Sequence, residues 1–374
     1  MSLMLRGSVH GVDSAKAAVF VQDGHITWVG TGDPPEPADL ELVARPGELI
    51  APGFIDLQVN GFGSHDAAAG PEAISAISSK LPEFGVTGFL PTAISSPLEE
   101  ARAFVEATGK ASAPGARVLG AHLEGPFLSP PFRGAHEARS LVTPSQDRLD
   151  RVLACPPRMM TLAPELPGAI EAIGRLREAG VIVAAGHSGA DYEQGLRAIE
   201  AGVRFGTHLY NAMREFHHRR PGLVAALLMD PRITVGIIAD GEHLHDATCE
   251  QVLQLKAAGH VALTTDQTAA AGAPAGRYQL GGRDVVSDGR AVRLEDGTLA
   301  GSAATMDELV RRMASLPGVS LEQAVTMAST SPAAVLGEPG LGRLQPGNHA
   351  DIVILDREQR VRLTMVAGRV VFER

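Results

Sequence analysis

Residues 181–208 read VIVAAGHSGADYEQGLRAIEAGVRFGTH, and their alternation of apolar and helix-forming segments indicates the fold class. The short apolar runs at 181–186 and 203–207 predict two strands. The Ala-, Leu- and Glu-rich segment at 191–201 between them predicts a helix. Two strands joined through a helix are typical of the parallel sheets of α/β proteins.

The same alternation extends outward on both sides of this stretch. Predicted strands lie at 53–59, 87–91, 117–123, 158–162, 181–186, 203–207, 233–239 and 261–265. Predicted helices between them include 71–84, 168–179, 191–201 and 246–258. Eight short apolar strands separated by helices predict an α/β fold of the (β/α)8 TIM-like barrel class. A doubly wound open sheet is the alternative, but no G-x-G-x-x-G motif follows the first predicted strand.

The two ends of the chain differ from this middle part. Asp23-Gly24 separates two apolar, β-rich runs near the start, which is a hairpin pattern. Segments 350–355 and 361–372 near the other end are also strand-like. These patterns predict two domains, a small β-sandwich domain of residues 1–50 plus 345–374 and a catalytic barrel domain of residues 51–344.

The 374 residues carry 33 Lys and Arg against 43 Asp and Glu, a formal net charge of −10. An acidic chain with 4% aromatic residues lacks the basic face and the stacking surface of a general nucleic-acid binder. Cys155 and Cys249 show no C-x-x-C spacing, which is typical of reduced thiols in a cytosolic protein. No run approaches 18 apolar residues, and the first residues lack the apolar region of a signal peptide. We expect a cytoplasmic protein with no membrane and no nucleic-acid partner.

Side chains that bind metals follow four of the predicted strands. His122-Leu-Glu124 ends the third strand, His187 follows the fifth, His208 the sixth and Asp266 the eighth. Because the carboxyl ends of barrel strands meet at one mouth, we expect these side chains to lie close together. Imidazole and carboxylate groups suit zinc, iron or a similar divalent ion, and three protein ligands leave one position for water.

The third strand offers a choice between two ligands. His122 and Glu124 point to the same side, because side chains alternate along a strand. Glu124 lies nearer to the rim of the barrel, so it is the preferred ligand and His122 is expected behind it. Replacing each residue separately and measuring the bound metal distinguishes the two assignments.

A basic segment, residues 213–221, follows the sixth strand in this otherwise acidic chain. Its charged and titratable side chains include Arg214, His217, His218, Arg219 and Arg220. Charged runs are commonly solvated loops, but guanidinium groups also bind phosphate and carboxylate bidentately. The position directly after His208 favours a clamp for an anionic group. His243, which follows the seventh strand, also lies at the mouth.

Several motifs together resemble a known family. They are APGFIDLQVNG at 51–61, HLEGPF at 122–127, RGAH at 133–136, TLAPE at 161–165, GHS at 186–188, THLYNAM at 207–213, ADGEH at 239–243, TD at 265–266 and LAGS at 299–302. Over nearly the whole chain, this combination resembles the amidohydrolase superfamily and specifically its N-acetylglucosamine-6-phosphate deacetylases. The resemblance implies metal-dependent hydrolysis of the N-acetyl group of N-acetyl-D-glucosamine 6-phosphate, which gives D-glucosamine 6-phosphate and acetate.

The resemblance also implies the number of metal ions. Most members of the superfamily carry His-x-His after the first strand, and here Gln58 and Asn60 occupy those places. Both are poor ligands for a zinc-like ion. The implied cofactor is one divalent metal ion per subunit, zinc first, with iron, manganese or cobalt as alternatives. Its implied ligands are Glu124, His187 and His208, with water.

Further roles follow from the resemblance alone. Asp266 is implied to remove a proton from water and to return it to the departing amine, and His136 to polarise the acetyl carbonyl. The implied substrate-binding residues are Ala135, His136, Asn211, Ala212, Arg219, Asp240, His243, Leu299, Ala300 and Gly301. A homodimer is implied as well, because in the family the arginine corresponding to Arg219 reaches across a dimer interface.

Two other functions remain as alternatives. The chain could be a deacetylase of N-acetylgalactosamine 6-phosphate or another N-acyl hydrolase of the superfamily, because discrimination between epimers depends on a few hydrogen bonds. It could also be a catalytically inactive barrel that acts as a binding protein. The joint presence of Glu124, His187, His208 and Asp266 argues against an inactive barrel.

Overall fold

The computed structural model describes residues 2–32, 34 and 36–374, so Met1, Asp33 and Pro35 of the predicted β domain lie outside the described residues. The strands, in chain order, are β1 (Ser2–Val9), β2 (Ala17–Gln22), β3 (His25–Thr31), β4 (Leu40–Val43), β5 (Leu49–Pro52), β6 (Phe54–Val59), β7 (Gly61–Phe62), β8 (His65–Asp66), β9 (Val86–Ile94), β10 (Arg117–Val118), β11 (His122–Glu124), β12 (Met159–Leu162), β13 (Ile182–Ala185), β14 (Val203–Gly206), β15 (Thr234–Ile237), β16 (Val261–Leu263), β17 (Gly276–Leu280), β18 (Arg283–Ser287), β19 (Ala291–Arg293), β20 (Leu299–Ser302), β21 (Ile352–Leu355), β22 (Val361–Val366) and β23 (Arg369–Glu373). The α-helices are α1 (Pro71–Lys80), α2 (Leu98–Lys110), α3 (Gln146–Leu153), α4 (Ala169–Glu178), α5 (Tyr192–Ala201), α6 (Gly222–Met229), α7 (Asp246–Leu255), α8 (Met306–Ala314), α9 (Leu321–Ala328) and α10 (Thr330–Leu336).

A parallel barrel forms the centre of the molecule. Within the uninterrupted stretch 36–374, its sheet runs β10-β9-β11-β12-β13-β14-β15-β16, with β6 also paired to β9. Both β10 and β11 pair with β9, so together they are the third predicted strand. A bridge between Val59 and Gln267 joins the first strand to the segment after the eighth and nearly closes the ring. The predicted (β/α)8 TIM-like barrel is confirmed.

Burial on both faces explains why the barrel strands are apolar runs rather than alternating ones. All nine residues of β9 are buried.

Two predicted helices end earlier than expected. The helix predicted over 71–84 changes to a 3₁₀ turn (Leu81–Phe84) after Lys80, because Pro82 cannot continue an α-helical ladder. The helix predicted over 246–258 ends at Leu255, since Lys256 is extended. None of the helices in the described residues combines the length and the apolar composition that a membrane-spanning helix needs.

A separate sheet combines both ends of the chain. Among the described residues it has eight strands in the order β23-β22-β21-β5-β1-β2-β3, with β4 also paired to β1. Asp23 and Gly24 have positive φ angles of 49° and 82° at the turn between β2 and β3, which confirms the predicted hairpin. Side chains from both chain ends, such as Val19 and Ile352, share one apolar core. The sheet domain predicted from both termini is present, and its exact boundaries stay a prediction.

An antiparallel insert lies between the eighth barrel strand and α8. Within the same uninterrupted stretch, β17, β18, β19 and β20 form a four-stranded sheet. β17 and β18 form a hairpin whose tip is Gly281-Gly282, and both glycines have positive φ angles. The insert is connected to the barrel by a hydrogen bond from Ser302 N–H to the Asp266 carbonyl at 2.9 Å. It therefore stands beside the mouth of the barrel.

Deleting residues 345–374 is expected to destabilise the N-terminal strands as well. β21 pairs with β5 along its whole length, and Ile352, Ile354, Leu363 and Met365 belong to the core shared with β1 and β2. Loss of each large buried side chain costs about 2–5 kcal/mol, which together is comparable to the whole stability of a domain. Limited proteolysis should cut residues 2–50 much faster in the deletion variant than in the full chain.

A shorter deletion is the matched control. Removing only residues 369–374 takes away β23, whose side chains are exposed or half-buried, and leaves that core in place. Unchanged protection of residues 2–50 in the longer deletion would contradict the shared core.

Candidate active site

A cavity of about 310 Å³ lies at the carboxyl ends of the barrel strands. The predicted residues that line it are Glu124, Ala135, His136, His187, His208, Asn211, Ala212, His243, Asp266, Leu299 and Gly301. Glu124, His187, His208, His243 and Asp266 were expected to meet here because they follow parallel barrel strands, and they do. The other residues were implied by the resemblance alone.

Glu124 is at the centre of a buried cluster of imidazoles. Its Oε1 lies 2.8 Å from His208 Nε2 and 3.1 Å from His187 Nε2. The two Nε2 atoms lie 3.1 Å from each other. The second carboxylate oxygen, Oε2, lies 3.4 Å from His136 Nε2. Burial alone would raise the pKa of Glu124, but the surrounding imidazoles lower it well below its ordinary value.

The protonation of His187 makes this cluster suitable for a metal ion. Its Nδ1 lies 2.9 Å from the carbonyl oxygen of Phe132, which can only accept, so Nδ1 carries the proton. The lone pair of Nε2 therefore faces the Glu124 carboxylate. Burial lowers the pKa of His187 to about 4, which keeps the ring neutral. A lone pair directed at an anionic oxygen is unfavourable without a cation between them, and neutral imidazole and carboxylate are zinc-type ligands.

Two sets of possible metal ligands share Glu124 and His187. The ligand atoms of Glu124, His136 and His187 lie within 4.8 Å of one another, and those of Glu124, His187 and His208 lie within 3.1 Å. His208 Nδ1 is buried and has no hydrogen-bond partner within the described residues. The shorter distances favour His208 as the third ligand.

The backbone turns these side chains into the mouth. His187, His208 and Asp266 all have positive φ angles, of 49°, 26° and 50°. Such angles are uncommon for residues other than glycine and concentrate at functional sites. Each of the three follows closely after the end of its strand, where the left-handed residue ends the extended run and redirects the chain.

His136 presents a hydrogen-bond donor to the cavity. The backbone N–H of Ser95 donates to His136 Nδ1 at 3.0 Å, so Nδ1 is the acceptor nitrogen. In the neutral ring the proton therefore lies on Nε2, on the side that faces Glu124 Oε2 and the cavity. A metal ligand needs a lone pair at this position, and for this reason as well His136 is better placed as a donor than as a ligand.

Gln58 and Asn60 orient the two carboxylates. Gln58 Nε2 donates to Glu124 Oε1 at 3.0 Å, and Asn60 Nδ2 donates to Asp266 Oδ1 at 2.6 Å. Burial, with a contribution from the charge of Glu124, raises the pKa of Asp266 to about 7. The sequence identified these two amides only as poor metal ligands. Because the two residues are two positions apart along the chain, their side chains were expected on the same face of the strand. This spacing was the signal that both point into the barrel.

His122 lies behind the cluster. Its Nδ1 is 3.0 Å from the carbonyl oxygen of Leu57, and its Nε2 is 2.8 Å from Thr161 Oγ1. Burial lowers the pKa of His122 to about 4, so the ring is neutral with both nitrogens engaged. This arrangement favours Glu124 over His122 as the ligand from the third strand.

Asp240 and Ala300 were predicted to bind the substrate, but neither of them lines the cavity. Asp240 lies behind His243, with its Oδ2 2.7 Å from His243 Nδ1 and its Oδ1 accepting the His243 N–H. Ala300 is fully buried because side chains alternate along β20, so that Leu299 and Gly301 face the cavity instead.

Arg219 and Asn211, two further predicted substrate-binding residues, differ in their position relative to the cavity. Arg219 is exposed on the loop 213–221 and does not line the cavity. Asn211 lines the cavity, and its backbone N–H donates to the carbonyl oxygen of His208 at 3.0 Å. A single chain therefore does not bring the predicted anion clamp together with the metal ligands.

The cavity also has an apolar side that the sequence did not reveal. Its residues there include Ile94, Phe132 and Leu280, with Thr298 beside them. Ile94 is the last residue of β9, and its position at the end of a barrel strand could have indicated that it lines the cavity. Leu280 comes from the hairpin β17–β18, for which no element was predicted.

Comparison with known proteins identifies the family. The model of the Amidohydrolase family matches residues 49–371. The chain is 38% identical over 342 residues to the N-acetylgalactosamine-6-phosphate deacetylase of Escherichia coli O157:H7, covering 89% of this chain and 90% of that protein. It is 35% identical over 359 residues to the N-acetylglucosamine-6-phosphate deacetylase of Lysinibacillus sphaericus, covering 94% of this chain and 92% of that protein.

A solved structure is also closely similar over the full length. It is an N-acetyl-D-glucosamine-6-phosphate deacetylase from Mycobacterium smegmatis, with one aspartate replaced by alanine, in complex with N-acetyl-D-glucosamine-6-phosphate. The TM-score is 0.92 at 34% sequence identity, and 99% of each chain is covered. The chain belongs to the amidohydrolase family, in the group formed by the N-acetyl-amino-sugar 6-phosphate deacetylases.

Proposed function

We propose that this protein hydrolyses the N-acetyl group of N-acetyl-D-glucosamine 6-phosphate to D-glucosamine 6-phosphate and acetate. The observation that carries the proposal is the geometry of one cavity. The carboxylate and imidazoles of Glu124, His187 and His208, the carboxylate of Asp266 and the Nε2–H of His136 all face it. The named activities of the relatives support the choice of substrate.

Glu124, His187 and His208 would hold one divalent metal ion. When bound there, the ion would lower the pKa of a water molecule and polarise the amide carbonyl. Zinc suits two neutral imidazoles and a carboxylate, with iron, manganese or cobalt as alternatives. Gln58 and Asn60, which stand near the same carboxylates, are occupied as donors, and this supports one ion rather than two.

Asp266 is proposed to move the protons. Its Oδ1 is held by Asn60, so Oδ2 is the atom available to take a proton from the attacking water. The same oxygen then returns the proton to the amine nitrogen as the C–N bond breaks. General acid–base catalysis requires both transfers.

His136 is proposed to bind the acetyl carbonyl oxygen. Its Nε2–H faces the cavity because Ser95 holds Nδ1 as an acceptor. A preorganised donor stabilises the negative charge that develops on this oxygen as water adds. Ser95 Oγ lies 2.9 Å from the same Nδ1 and helps to fix the ring.

The phosphate end of the substrate is proposed to lie near His243, Asn211 and Ala212, which line the cavity. Asp240 fixes His243 Nδ1 as a donor and leaves Nε2 for the ligand. We further propose a homodimer in which Arg219 of one subunit completes the phosphate site of the other. The exposed position of Arg219 outside its own cavity supports this proposal.

Replacing Arg219 with alanine is expected to raise KM by roughly 10–100-fold with little change in kcat, since a charged hydrogen bond to phosphate is worth about 1.5–3 kcal/mol. Steady-state kinetics with N-acetylglucosamine 6-phosphate measures the effect. Arg220→Ala is the matched control on the same exposed loop. An equal rise of KM in both variants would contradict a specific role for Arg219.

The first experiment compares acetate release from four sugars on a sample of known metal content. The sugars are N-acetylglucosamine 6-phosphate, N-acetylgalactosamine 6-phosphate and the two unphosphorylated forms. Turnover of the phosphorylated glucosamine derivative with about one metal ion per chain is the expected result. Preference for N-acetylgalactosamine 6-phosphate would instead support the activity named for the Escherichia coli relative, deacetylation of that sugar phosphate. Activity on none of them, with metal bound, would keep the metal-dependent hydrolase and discard these substrates, in favour of another N-acyl hydrolase of the superfamily.

A cytoplasmic location stays a prediction. It is supported by the two cysteines, Cys155 and Cys249, which are both free in the described structure.

A further inference from the structure

Three apolar side chains form one wall of the active-site cavity. Ile94, Ala135 and Leu280 all line it and belong to a single buried apolar cluster. Leu280 is only 3% exposed, and Ile94 and Ala135 are each 8% exposed. Their chemistry makes them contacts for a hydrocarbon group, and nothing in the proposed proton transfers uses them.

This wall stands beside the donor that is proposed to bind the acyl carbonyl. Ile94 immediately precedes Ser95, whose N–H and Oγ hold His136 Nδ1 at 3.0 and 2.9 Å. Ala135 immediately precedes His136 itself. The wall is therefore next to the group that is proposed to bind the carbonyl oxygen, and both line the same cavity.

The hairpin that carries Leu280 is fixed in position. Gly281 N–H donates to Asp66 Oδ2 at 2.7 Å, and the Arg283 guanidinium donates to the carbonyl oxygen of Ala135. A Cβ atom at Gly281 would lie 2.7 Å from Ile94 Cγ1, so the tip and Ile94 are already in tight contact. Because two hydrogen bonds hold this hairpin in place, Leu280 cannot easily move away to make room for a larger acyl group.

We infer that Ile94, Ala135 and Leu280 form an acyl pocket that selects for short N-acyl groups. The inference rests on the proposed function and names which part of the substrate this wall recognises. Formyl and acetyl groups fit against it, and each further methylene meets a fixed surface. One methylene more or less in an apolar pocket changes specificity by roughly 10–200-fold.

The test uses glucosamine 6-phosphate carrying N-formyl, N-acetyl, N-propanoyl or N-butanoyl groups. The expected result for Leu280→Ala is a rise of about tenfold or more in the ratio of kcat/KM for N-propanoyl over N-acetyl. Leu280→Phe should act in the opposite direction and lower the ratio of N-acetyl over N-formyl. Because each ratio is measured on one sample, a loss of correctly folded enzyme cancels.

Val286→Ala is the matched control. Val286 lies on the same hairpin, is 40% exposed and does not line the cavity. Its acyl-chain ratios should equal those of the unmodified protein. Unchanged ratios in both Leu280 variants, with activity on the N-acetyl substrate intact in the unmodified protein, would overturn the acyl pocket alone. An unmodified protein that cleaves none of the four derivatives would overturn the proposed function instead.

Discussion

The Asp266→Asn variant is expected to lose about 10²–10⁴-fold in kcat while retaining its metal and its affinity for substrate. Asn60 Nδ2 donates to Asp266 Oδ1 at 2.6 Å, and the amide oxygen of an asparagine can accept the same hydrogen bond. The side chain therefore keeps its place. The amide nitrogen that replaces Oδ2 cannot take a proton from water, so proton transfer is the function that is lost.

Three measurements separate this outcome from a folding defect. Steady-state kinetics gives kcat, elemental analysis gives metal per chain, and calorimetry gives substrate affinity in the slow variant. Asp13→Asn, a change of the same chemistry at an exposed turn, is the control and should behave as the unmodified protein. A kcat within a few-fold of the unmodified value would refute the acid–base role of Asp266.

The Glu124→Gln variant is expected to lose the metal ion and with it nearly all activity. Glu124 contributes the only carboxylate in the donor set with His187 and His208. A neutral amide removes the negative charge and presents a weaker ligand. Because losing an outer hydrogen-bond partner of a metal ligand already costs about 10–100-fold, losing the ligand itself should exceed 100-fold in kcat/KM.

His122→Asn is the informative partner variant. His122 contacts Leu57 and Thr161 rather than the donor set, so metal content should stay near that of the unmodified protein even if stability falls. Elemental analysis after dialysis measures both variants. If the His122 variant lost its metal and the Glu124 variant kept it, the assignment of the ligand on the third strand would be reversed.

The barrel and the convergence of the candidate metal ligands could be predicted because both depend on local pattern. Each barrel strand is an apolar run bounded by turns, and each polar residue at its end is close to its partners once parallel strands are assumed. Glu124, His187, His208 and Asp266 therefore converged as expected. The orientation of His136, by contrast, depends on a hydrogen bond to Ser95, 41 residues away, which no pattern encodes.

The insert β17–β20 was not predicted for a related reason. Its strands carry alternating exposed positions, and only the Gly281-Gly282 pair indicated a hairpin. Its position against Ile94 and Asp66 results from contacts distant in sequence. Arg219 could not be assigned to a site for another reason: it is exposed on its loop and does not line the cavity of its own chain, and its proposed role involves a second subunit.

The pairing of β5 with β21 has a consequence for the order of folding during synthesis. Residues 49–52 leave the ribosome about 300 residues before their partner strand, Ile352–Leu355, which at 5–20 residues per second is a delay of roughly 15–60 seconds. For that time one edge of the N-terminal sheet is unpaired, and an unpaired edge is a template for wrong strand addition. The barrel, whose neighbouring strands follow one another along the chain, can form in the meantime. We therefore expect nascent chains arrested before residue 350 to need protection from aggregation at their first strands.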